Sequence, residues 1–193
     1  MIDDLGLLVS RLVIGLSYAS HGAQKAFGWF EGPGPQVAAG FMESLGFKPA
    51  DRYAQAASYT ELVSGTMIAL GFGGPIGPAM VLGSMLVAQE TVHRKNGYFA
   101  AKGGIELGVI YSAGALALAS AGYGDASLDR ALGIDKTLRH PGVVALALAG
   151  GIAVGYYILQ QRDTSPPPGT LATPTIKGEH NGTVGSDPAA ARN

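Results

Sequence analysis

The tightest constraint on this chain is where its charges are missing. Five stretches, about 5–22, 54–72, 76–92, 104–123 and 142–159, are apolar almost throughout, and the last contains no charged residue. Each is near the roughly 20 residues that an α-helix needs to cross a bilayer's hydrocarbon. The fold class this predicts is all-α, an integral membrane protein of five spans. A soluble all-helical core is the competing reading, but only 14% of the 193 residues are charged, where a soluble domain has about 25%.

Composition excludes several functions. Thirteen basic and 14 acidic residues give a net charge of -1, which offers no footprint for nucleic acid. Cysteine is absent, so disulfides, thiolate metal sites and CxxC redox motifs are all excluded. The opening MIDDLG has acids where a signal peptide has bases, so no removable leader is expected. Thirty glycines, many inside the apolar stretches, predict helices that approach closely.

Between the first two spans, the turn signal GPGP at 32–35 precedes VAAGFMESLGF. That segment spaces Val37, Ala38, Phe41 and Leu45 helically and predicts a short amphipathic helix on the membrane surface, near 36–47. Only GGPIGP, 73–78, separates spans two and three, which makes them antiparallel neighbours. Asn96-Gly97 marks a turn after span three, and a short helix is expected around 128–132. From 162 to 193 the chain turns rich in Pro, Thr, Gly and Asn, a composition that predicts a disordered tail.

The polar residues inside the apolar stretches carry the functional question. Arg11, Gly15, Tyr18, Gly22 and Lys25 fall on one helical face with His21 beside them. An arginine within a span costs at least about 2.5–3.5 kcal/mol, so it needs a partner or a wet cavity. Alternating spans bring His21, Gln24, Lys25, Thr60, Glu61, Gln89, Glu90, His93, Lys102 and Glu106 to one membrane face, and leave the opposite helix ends nearly free of charge. Glu61 is the expected partner of Arg11, and Glu106 is expected to pair with Lys102 or to reach His21 or His93. This cluster reads either as an ion-pair network locking four helices or as a polar pocket, rimmed by Trp29, Tyr18, Tyr59 and Tyr98, for a small amphipathic molecule such as a quinone. The two are compatible. A metal or haem held by His21 and His93 with Glu90 or Glu106 lacks a recognisable ligand spacing such as HExxH, and no metal is expected. GFGGPIGP is not a phosphate loop, because neither a GK[ST] nor a preceding strand accompanies it.

Five pieces in order, RLVIGLSYASHGAQKAFGWF, VAAGFMESLGF, ELVSGTMIALGF, HRKNGYF and GYGDASLDRALG, resemble the DoxX family of small bacterial membrane proteins over about 5–133. The resemblance implies a four-helix membrane bundle over residues 1–133, from a group described as oxidoreductase components and related to the DoxD subunit of thiosulfate:quinone oxidoreductase. By it, Arg11, His21, Gly22, Lys25, Glu61, His93, Asn96, Gly97 and Glu106 match the family's polar positions. Residues 134–161, a loop and fifth span, and the tail at 162–193 depart from that pattern and suggest a docking surface. The site candidates are therefore Arg11, Tyr18, His21, Lys25, Glu61, Glu90, His93, Asn96 and Glu106.

The function expected is a quinone-linked redox component of the inner membrane, working with other membrane subunits; the alternative is a non-catalytic accessory subunit of a redox complex. Lys and Arg counts near the spans put the polar-cluster face in the cytoplasm.

Overall fold

The computed structural model describes residues 2–165. They are helical, and among them the only extended pairing is a single antiparallel bridge between Phe47 and Arg162. In chain order the helices are α1 (Ile2–Phe27), α2 (Gly34–Ser44), α3 (Ala50–Leu70), α4 (Ile76–Ala88), α5 (Glu106–Ala121), α6 (Leu128–Ala131), α7 (Asp135–Leu138) and α8 (Pro141–Gln160). A π-helical turn, Gln89–His93, extends α4. Pro78, expected in the connection, lies in the first turn of α4, where no helical hydrogen bond needs its missing N–H.

Glycine sets the closest contacts. A side-chain carbon at Gly15 would collide with backbone of Gly65 and Ala69, one at Gly22 with Ser58 and Leu62, and one at Gly65 with Gly15 and Ala19. These contacts fix α1 and α3 as antiparallel neighbours with Gly15 level with about residue 67. A second glycine contact joins α4 to α8, where Gly83 meets Gly151 and Gly155. Such residues let backbones approach to van der Waals distance.

The core between these pairs consists of Tyr18, Ile68, Val81, Leu82, Met85, Ala115, Leu118 and Tyr123. Aliphatic side chains also cover the outside: Leu5, Val9, Val13 and Leu16 on α1, Leu107 and Ile110 on α5, and Leu146 and Val154 on α8 are exposed. By length and composition, α8 is the one helix among the described residues that is apolar and long enough to cross a membrane; α5 is apolar but shorter.

The expected tail begins inside an ordered contact. Arg162 Nε donates to the Leu45 carbonyl at 2.7 Å and Asp163 N–H to the Gly46 carbonyl at 2.8 Å. Arg162 also stands 5.8 Å over the ring of buried Phe47. The chain is therefore held through Asp163, because Arg162 and the Asp163 backbone find partners at the end of α2. The rest of 162–193 lies outside the described residues.

Candidate functional site

Lys25, in the last turn of α1, donates to both oxygens of Glu61 at 2.6 and 2.7 Å. Glu61 is buried on α3, while Lys25 is about one-third exposed. Beside Lys25 opens a cavity of about 390 Å³. Its walls are Lys25 and Ala26 of α1, Pro35, Gln36 and Ala39 of α2, and Asp51, Ala54, Gln55, Ser58 and Tyr59 of α3. Tyr59 continues into an aromatic row, with Phe27 at 6.2 Å between centroids and Trp29 at 5.1 Å from Phe27.

Glu61 is not the partner of Arg11. The glycine register sets Arg11 level with Gly71, about ten residues along α3 from Glu61, roughly 15 Å. A helical side chain also leans toward its own N-terminus, which carries Arg11 further from Glu61. Arg11 is 3% exposed. Its Nη2 donates to the Ala126 carbonyl, while Nε and Nη1 have no partner among the described residues.

The expected single cluster separates into local pairs. Glu90 takes two hydrogen bonds from Arg94 Nη1, at 2.7 and 2.8 Å. His93 Nδ1 and Asn96 Nδ2 both meet the Gly103 carbonyl, at 2.7 and 3.1 Å. Glu106 accepts from Ala100 N–H at 2.8 Å, in place of Lys102, His21 or His93. The π turn and the short turns after it place backbone donors and acceptors within reach of His93, Asn96 and Glu106, and Glu90 pairs with Arg94 one turn on, so each is satisfied locally. His21 lies edge-on to Tyr111 at 6.2 Å.

The aromatic rim is corrected as well. Tyr18 is buried in the core and shares a hydroxyl hydrogen bond with Ser84. Tyr98 lies edge-on to Phe99 in the loop after α4, and of the four expected rings Tyr59 alone lines the cavity. Among the described residues no group of three or more His, Asp or Glu gathers to hold a metal ion.

The opposite end of the helices, expected to be poor in charge, has its own polar construction. The Asp129 carboxylate accepts from Gly73 N–H at 2.8 Å and Gly74 N–H at 2.7 Å, and Asp129 N–H donates to the Gly71 carbonyl at 3.0 Å. Tyr123 adds a bond from its hydroxyl to the Gly74 carbonyl at 2.8 Å. Asp129 was not singled out from sequence. The available signal was Ser127 as the N-cap of α6, with a glycine-rich hairpin whose N–H groups needed acceptors. A smaller cavity of about 180 Å³ lies here, lined in part by Tyr123, Asp129, Arg130 and Arg139.

All-helical architecture, close glycine contacts, an apolar exterior and an α8 long and apolar enough to cross a bilayer fit the class of helical membrane proteins. Residues 6–94 match the DoxX family model, and this match supports membership of the DoxX family, a family of membrane proteins. The match spans α1 to the π turn and ends at Arg94; residues 95–133 fall outside it. Among curated proteins and solved structures no match is found.

Proposed function

We propose that this protein is a multi-pass component of a quinone-linked redox system in the inner membrane, and that its ligand site is the cavity beside Lys25. The observation that carries the reading is the Lys25–Glu61 ion pair at 2.6 Å at the edge of a cavity of about 390 Å³. An ionisable pair in a DoxX segment whose outer surface is leucine and valine is a functional candidate by default. The donors fit a quinone: Lys25 Nζ and the Gln36 and Gln55 amides suit its carbonyl oxygens, and the Tyr59 ring suits its face. A bound quinone supplies two-electron redox chemistry. The protein's part is to hold the ring and to keep a cation and a carboxylate beside it.

Trp29 is the sole tryptophan, so quenching of its fluorescence by a short-chain benzoquinone analogue reads binding in purified protein. Lys25→Met and Glu61→Gln are each expected to weaken binding about tenfold, the loss of one charge-assisted hydrogen bond. Quenching that follows the same isotherm in both variants as in the parent overturns the reading.

One observation favours an accessory-subunit role. α8 packs on α4 through a narrow glycine stripe, and only Gly155 of its residues is buried. The remaining face is free for lipid or for another membrane subunit. Deletion of 142–193 is then expected to release co-purifying redox subunits while the first four long helices stay inserted; co-purification that survives the deletion counts against it.

A further inference from the structure

Helix α2 roofs the Lys25 cavity, and the segments at its two ends are a strained connection and a small set of fastening contacts. It contributes Pro35, Gln36 and Ala39 to the cavity, yet only Gly34 and Ala38 of its own residues are buried. The connection before it runs repeatedly through left-handed backbone: Gly28 at φ 71°, Phe30 at 52°, Glu31 at 58° and Gly34 at 74°. Side chains disfavour that region, and two successive non-glycine residues held there are typical of clamps and switches.

The far end of α2 is fastened by residues from the other end of the described chain. Arg162 bonds the Leu45 carbonyl, Asp163 bonds the Gly46 carbonyl, and Lys48 faces the Asp163 carboxylate at 3.5 Å. Gly46, at φ 87°, has no room for a side chain against the Asp163 carbonyl. The fastening thus consists of two hydrogen bonds to backbone, the Arg162 guanidinium over the Phe47 ring and one exposed ion pair, a small set of contacts of the kind that open locally.

We propose that α2 is a lid over the Lys25 cavity, hinged at 28–34 and latched at its far end by Arg162 and Asp163. The residues directly after α8 then govern access to the site. As a statement about ligand entry this rests on the quinone reading of the cavity; the movement of α2 is testable with no quinone present.

The chain has no cysteine, so a single Ser58→Cys on the cavity wall reports exposure to a soluble maleimide in the purified full-length protein. Ser58 is 2% exposed, and slow labelling is expected with the latch intact. Arg162→Ala, and separately Asp163→Pro, which removes the N–H given to Gly46, are each expected to speed labelling about tenfold. A Lys136→Cys reporter at the opposite end is expected to label at one rate in every background. Equal Ser58→Cys rates with and without the latch residues overturn the proposal. Faster labelling in a protein that fails to quench with quinone upholds the lid and overturns the quinone reading instead.

Discussion

Arg11 and Lys25 share a face of one helix, yet they meet opposite circumstances. Lys25 reaches a carboxylate from the last turn of its helix, whereas Arg11 is enclosed near the far end with two of its three nitrogens unpartnered among the described residues. A buried charge of that kind contributes little stability, and an apolar side chain of similar length can replace it without loss. Arg11→Met is accordingly expected to leave the unfolding temperature in detergent unchanged or raised. Arg11→Ala, which leaves a cavity, is expected to cost about 2–4 kcal/mol. A large loss in Arg11→Met shows that the guanidinium is held by more than the Ala126 carbonyl. That Arg11 needs protein around it was legible from its apolar neighbours; its partner was not. Partner choice depended on the α1–α3 register and on the lean of the side chain, neither of which composition or periodicity states.

At the scale of elements, the long helices and the surface helix were readable because apolar length and helical spacing carry that information directly. The seal at the opposite end was not. Asp129 sits in a polar loop, and its role appears only when the hairpin's free N–H groups are beside it. Replacing it with alanine strands both donors, so Asp129→Ala is expected to lower stability by about 3 kcal/mol, read as a shifted thermal transition. The latch was hidden for a related reason. Arg162 opens a stretch rich in proline and glycine, and such composition says nothing about a backbone pairing 115 or more residues away. The Ser165 N–H donating at 3.0 Å and the nearby Lys48 hold the Asp163 carboxyl below its ordinary range, so protonation that removes the latch's ion pair sets in only below the usual carboxylate titration. Glycine packing between helices offers a sharper contrast. Gly15→Ala pushes against α3 backbone and is expected to cost more than about 2 kcal/mol. Gly40→Ala, on the open face of α2, is expected to gain about 0.5–1 kcal/mol from helix propensity. Paired thermal melts decide between them.

For the whole molecule, the two ends of the helices divide the work. One end carries the Lys25 cavity, its roof and the latch; the other is tied by Asp129, Tyr123 and Arg11 to backbone groups of hairpin and loop. Counting helix ends from sequence puts the polarity on a single face, because the count misses the 122–139 connection that folds back over the other face. The Trp29 quenching titration and the Ser58→Cys labelling test address the first end, and the Asp129→Ala melt addresses the second. A loss of quinone binding in Asp129→Ala that exceeds its loss of folded protein would reveal coupling along the helices.

The Asp129 seal also imposes an order of events on biosynthesis. Gly73 and Gly74 emerge from the ribosome 56 and 55 residues before the carboxylate that they bond. At about 5–20 residues per second that is a wait of roughly 3–11 s. Through it the α3–α4 turn has unfilled N–H groups that only water or headgroups at the membrane surface can satisfy. A nascent chain halted after α5 should therefore keep this turn open to protease, and one halted after α6 should close it. The α6 turn thus works as a completion check on the hairpin made before it.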